Sequence, residues 1–95
     1  MSPMGSETYL DLCFIEETPA PLGQKVNQMF EELFQKQRLH WYLDEKVVAD
    51  AEVVVAEVKG MSRWHTEDEF IDYLERNAPD EFWSLLYGYQ FAFYR

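Results

Sequence analysis

Cations are scarce in this 95-residue chain: eight Lys and Arg stand against eighteen Asp and Glu, a formal charge of −10 at pH 7. A chain so acidic cannot displace counterions from a phosphate backbone on the scale that direct nucleic-acid binding uses. An anionic bilayer surface repels it as well. Cysteine is almost absent. The lone Cys13 cannot form an internal disulfide, and with no basic neighbour to lower its pKa it reads as an inert, buried thiol. His40 and His65 fall in different segments, and no His-x3-His or Cys-x2-Cys spacing offers a metal site. The four glycines, at 5, 23, 60 and 88, are too scattered to form a phosphate-cradling loop. Long hydrophobic runs are missing too. None is longer than the four residues of Val53 to Ala56, far short of a bilayer span.

These gaps exclude more than they name. Met1 to Ser6 lacks the basic and apolar regions of a secretory signal; it is expected to be frayed or tag-derived, with the cytoplasm as the default setting. Acid–base chemistry needs a carboxylate whose pKa is raised by burial. Only Asp11, inside an alternating segment, hints at such a position. The expectation is a non-enzymatic protein with no cofactor and no metal.

What the chain does hold is apolar and aromatic. Hydrophobic residues make up 47%, and three Trp, six Tyr and seven Phe make 17% aromatic. One domain over 7–95 is the size this supports, since a second core would bury too little surface. So many rings exceed what a small core hides, and those left outside would mark a partner surface.

Tyr9 to Ile15 alternates, Leu10, Leu12 and Phe14 on one side and Tyr9, Asp11, Cys13 and Ile15 on the other, which predicts a strand. Glu16, Glu17 and Thr18 should end it, with Pro19 and Pro21 biasing the chain toward a helix start. From Leu22 to Gln37, Val26, Met29, Phe30, Leu33, Phe34 and Gln37 share one helical arc. Lys36 and Arg38 would complement the dipole of its last turn. Leu39 to Leu43 reads as a short strand closed by Asp44-Glu45-Lys46. Val47 to Val58 fits helix or strand, and its β-branched density favours a strand over Glu52 to Val58, limited by Gly60. A loop to His65 follows.

Thr66 and Glu69 form a capping box at the next helix. Phe70, Tyr73, Leu74 and Asn77 make its buried stripe, with Ile71 on the flank. After Pro79 comes a short helix with Phe82, Trp83, Leu85 and Leu86, closed by Gly88 as a C-cap glycine. Tyr89 to Tyr94 alternates as a last strand. Its Gly-aromatic pattern partly matches an RNA-reading strand, but it lacks the leading basic residue. The order strand, helix, strand, strand, helix, strand predicts an α+β fold of the ferredoxin-like sandwich type, with helices on one face of a small antiparallel sheet.

Function is read from the acidic helix. Asp68, Asp72 and Glu75 form a carboxylate row that Glu67, Asp80 and Glu81 extend. Such a row can imitate nucleic-acid phosphates and occupy a basic groove on another protein. Trp64, Trp83 and Tyr87 would be its anchors, because Trp and Tyr dominate binding hot spots. The expectation is an inhibitor or immunity-type protein, of the acidic, aromatic-rich composition common among phage- and plasmid-encoded inhibitors. Its partner would be a basic nuclease or nucleic-acid-binding enzyme. The alternative is a homodimer that pairs sheet against sheet and holds a small ligand, lined by His40, Trp41 and Tyr89.

Overall fold

A computed structural model describes residues 5–17 and 21–94. Its centre is β1 (Ser6–Glu16), whose side chains alternate between buried and exposed nearly throughout. Ser6, expected in the frayed start, is wholly buried here and is part of the strand. Thr18 and Pro19 lie outside the described residues. The chain continues through α1 (Leu22–Leu33), β2 (Arg38–Val48), β3 (Ala51–Ser62), α2 (Glu67–Asn77), α3 (Asp80–Leu85) and β4 (Leu86–Tyr94). The four strands form one antiparallel sheet in the order β2-β3-β1-β4.

Register fixes what each face carries. Leu10 stands between Val58 and Phe91, and Leu12 between Ala56 and Tyr89. On β2, Trp41 and Leu43 extend the same rows opposite Val58 and Ala56. This inner face meets Val26, Phe30 and Phe34 around α1, Phe70 and Leu74 of α2, and Phe82 of α3 in one core. Edge-to-face rings tie the layers: Phe14 to Phe30 at 6.0 Å, Phe14 to Phe82 at 5.5 Å, and Phe70 to Phe91 at 4.8 Å between centroids. Each such pair adds about 0.5–1.5 kcal/mol beyond the burial of its area.

Strand lengths depart from expectation, and each departure has a physical source. The segment Asp44-Glu45-Lys46 does not close β2, which runs on to Val48. The reason is a two-residue hairpin turn at Ala49 and Asp50, where both residues have positive φ, 50° and 69°. That is the backbone of a type I′ turn, whose usual Asn-Gly signature is missing here. Beyond the core the hairpin needs no apolar face, so its outer residues can be polar. Within it, the Glu45 carboxyl lies against Gly23 in the first turn of α1. That helix has no side-chain cap and no acid of its own in the first turn, so Glu45 supplies the negative charge its dipole favours.

The other end of α1 is also corrected. The helix stops at Leu33, with Phe34 as C-cap, so Lys36 and Arg38 lie past its last turn. Gln37 is half-buried and Asn77 exposed, while Phe70 and Leu74 keep the expected burial. Gly88 is no C-cap: α3 passes directly into β4 at Leu86, and Gly88 pairs with Cys13 beside a register shift. β4 pairs with β1 and forms an edge of the sheet.

Gly60 does not limit β3 but sits within it, paired with Thr8 and Leu39. Its φ is +144°, and a Cβ there would lie 2.1 Å from the Arg38 carbonyl oxygen. Glycine is required because another backbone approaches too closely for any side chain. Gly60→Ala is therefore expected to cost about 3 kcal/mol, combining strain with displaced backbone. Gly88→Ala, where a Cβ would meet nothing within 4 Å, should change stability by no more than ~0.5 kcal/mol. Urea unfolding of the two variants checks both numbers, and equal losses would contradict this placement of Gly60.

Candidate functional site

The acidic surface begins at the start of α2. Thr66 Oγ1 accepts the Glu69 N–H at 3.2 Å, and the Glu69 carboxylate accepts the His65 N–H at 2.8 Å. The capping box forms, with its return bond one residue before the cap. Glu69 is thereby committed to the fold. Glu67 and Asp68 stand exposed in the same turn, where the helix dipole stabilises them. Asp72 is exposed and ion-paired with Arg76 one turn on, and Glu75 is exposed beside it.

Only Ala78 and Pro79 separate α2 from α3, whose first turn carries Asp80 and Glu81. Asp80 is exposed. Glu81 is engaged: Lys25 Nζ lies 3.2 Å from it and 3.5 Å from Glu16. The hydrogen bond to Glu81, aided by the charges of Glu81 and Glu16, raises the Lys25 pKa against a smaller opposing effect of burial. This cation ties α1, α3 and the end of β1 together. Next to it lies a cleft of about 530 Å³ lined by Glu16, Glu17, Glu81, Ser84 and Tyr87. Glu16 and Glu17 were expected only to end a strand. Nothing in a linear reading brings them beside Glu81, because the β1–β4 pairing does so.

The expected anchors divide. Trp64 is corrected: it is 5% exposed, with its ring 4.7 Å from Phe70 and 4.9 Å from Tyr73. A ring spent on core packing cannot present itself to a partner. Trp83 is half-buried, edge-on to Phe82 at 5.2 Å. Tyr87 is 76% exposed on the rim of the acidic cleft.

The ligand-lining set His40, Trp41 and Tyr89 does not come together. His40 is exposed on the outer face of β2. Trp41 points the other way, donating from Nε1 to Asn27 Oδ1 at 2.9 Å with its ring between those of Phe30 and Phe34. Tyr89 is in the Leu12 row and stacks on Phe91 at 4.6 Å.

Polar groups inside the fold are matched to one another. Thr8 Oγ1 bonds Ser62 Oγ at 2.6 Å and the Ser6 carbonyl at 3.0 Å, while Ser6 Oγ meets His65 Nδ1 at 2.7 Å. A Ser–His pair can serve nucleophilic chemistry, but Ser6 has no exposed surface, so the pair closes the end of the sheet. Among the described residues no buried side-chain polar atom lacks a partner, and no three His, Cys, Asp or Glu are grouped to hold a metal.

Tyr73 links α2 to the end of α1, its hydroxyl donating to the Leu33 carbonyl at 2.5 Å. Burial raises its pKa, partly opposed by Arg63. The folded state thus holds the phenol protonated. The resulting stabilisation is present below pH ~10, the ordinary tyrosine value, and is lost as pH rises through the raised pKa. Tyr73→Phe should cost about 1 kcal/mol at neutral pH. The gap between parent and variant should narrow above pH ~10, read as paired urea midpoints at pH 7 and pH 11. A gap that widens with pH would reverse the assigned sign. Comparison of the chain with protein-family models, with characterised proteins and with solved structures finds no match.

Proposed function

We propose that this chain is a small, non-enzymatic binding protein of the inhibitor or immunity type. The carboxylate surface of α2 and α3 would occupy a basic surface of a partner, such as a nuclease or another nucleic-acid-binding enzyme. The observation that carries the reading is the exposure of Glu67, Asp68, Asp72, Glu75 and Asp80 on two consecutive helices. Of these five, only Asp72 is engaged in an ion pair with a described residue. Like charges set this close repel one another, and a cationic partner relieves that repulsion on binding. Tyr87 is the anchor on this reading, with Trp83 partly available beside it. Charges of this kind chiefly set association rate and salt dependence.

The architecture proposed with it is the ferredoxin-like sandwich, supported by strand order β2-β3-β1-β4 and by the core shared between the inner sheet face and α1, α2 and α3. The short α3 is then an addition before the last strand. A cytoplasmic setting fits the single free thiol of Cys13. Among the described residues no helix is long and apolar enough to cross a membrane.

The test is capture from the source cell, read by mass spectrometry, with the parent chain and with a D68N/D72N/E75Q variant. A basic protein held by the parent at low salt should be released as salt rises, and the variant should retain about a tenth of it or less. Undiminished capture by the variant at low salt would remove the electrostatic basis of this proposal.

A second reading, a homodimer joined through the outer sheet face, is favoured by one observation. Tyr9, Tyr42 and Tyr94 stand 41%, 67% and 56% exposed there. Against it, Asp11 and Glu57 face each other on adjacent strands in the middle of that face. A twofold axis through this point would bring four carboxylates together. The monomer is therefore expected, and light scattering across a concentration series checks it. A stable dimer disrupted by Tyr42→Glu would reverse the order of the two readings.

A further inference from the structure

The few cations of this chain are unevenly used. Lys25, Lys46 and Arg76 are ion-paired, whereas Lys59, on the outer sheet face, and the three cations Lys36, Arg38 and Arg63 form no ion pair with a described residue. All three are exposed, and they converge. A cleft of about 450 Å³ opens between the end of α1 and α2, lined by Lys36, Gln37, Arg63, Trp64, Tyr73 and Pro79, with Glu32 as its one carboxylate. A second hollow of about 570 Å³ adjoins it, lined by Lys36, Gln37, Arg38, Met61, Ser62 and Arg63. Lys36, Gln37 and Arg63 border both hollows. Arg63 and Tyr73 line the first hollow together.

We propose that this double cleft binds a small phosphorylated molecule, with the phosphate between Arg63 and Lys36 and the remainder over Tyr73 and Pro79. Three features support that chemistry. A guanidinium offers a planar fork of donors suited to phosphate, and the lysine adds a flexible point charge. The volumes fall in the usual range for small-ligand pockets, about 300–1,000 Å³, and exceed the needs of inorganic phosphate. Gln37 adds an amide that can donate to an oxygen or accept from a ring nitrogen.

The overall charge of −10 does not oppose a compact ligand as it opposes a polymer. At physiological salt, exposed charges are felt over about 8 Å. A single phosphate in this cleft therefore responds mainly to Arg63, Lys36 and Arg38, while a nucleic-acid strand would also run along the acidic helices. The lining of the cleft includes none of the exposed carboxylates of α2 and α3 that form the proposed partner surface.

The probes are inorganic phosphate, adenosine 5′-monophosphate and adenosine, titrated at constant ionic strength and followed by amide chemical shifts and calorimetry. The monophosphate is expected to saturate, perturbing residues 33–38, 61–64 and 73–79, with inorganic phosphate weaker and adenosine silent. R63Q and K36Q should each weaken the monophosphate about tenfold or more, the loss expected for a charged hydrogen bond. K46Q, at the hairpin, should leave it unchanged. Unchanged melting curves would show that R63Q and K36Q remain folded. No saturable binding, an R63Q affinity equal to the parent, or a K46Q loss equal to that of R63Q would each overturn the proposal. Binding by adenosine as tight as the monophosphate would do the same.

Discussion

Everything in this fold depends on β1 being paired on both sides while its inner row stays apolar. Leu10, Leu12 and Phe14 are 0–2% exposed. They pair with β3 on one side and β4 on the other and belong to the core shared with the helices. A one-residue slip would turn this row outward and bring Asp11 into the core. Register is thus set by the alternation of one strand, and the remaining elements conform to it. At the start of the strand the same side turns polar: Thr8 Oγ1 bonds Ser62 Oγ and the Ser6 carbonyl, and Ser6 Oγ meets His65 Nδ1, in place of apolar contacts.

Elements whose cause is local were legible in the sequence. The β1 alternation, the α1 stripe and the capping box at Thr66 arise from spacing within a few residues. Features that depend on a distant neighbour were not. Gly60 read as a stop because glycine usually punctuates, yet it is required by the Arg38 carbonyl on the adjacent strand. The far half of β2 read as polar closure because the hairpin it belongs to turns on Ala49 and Asp50, which carry no strong turn signal. The acidic cleft is of the same kind, since Glu16, Glu17 and Glu81 meet only once β4 lies beside β1.

The aromatic excess was real, but its division followed ring chemistry. All seven phenylalanines are buried or half-buried, whereas Tyr9, Tyr42, Tyr87, Tyr89 and Tyr94 are exposed. A phenol keeps its hydroxyl hydrated while its ring covers apolar surface, so tyrosine tolerates a position that phenylalanine does not. Trp64 went to the core because Phe34, Phe70 and Tyr73 already surround its position. Ring count alone therefore overstates the number of candidate anchors, and ring type corrects it.

Charge is distributed with the same economy. Acids occupy the exposed faces of α2 and the start of α3, while three unpaired cations, Lys36, Arg38 and Arg63, collect where α1 ends and β3 leads into α2. Partners at these two places need opposite charge. On the reading proposed above, a basic protein would be drawn to the helices, and the surrounding negative field would turn a polyanion away from the cationic cleft without excluding a small anion. Burial could not have produced this separation, because none of Lys36, Arg38, Arg63, Asp68, Asp72 and Glu75 is buried. Neutralising α2 would therefore weaken its attraction for a basic surface and also lower the repulsion that shields the cleft from longer polyanions.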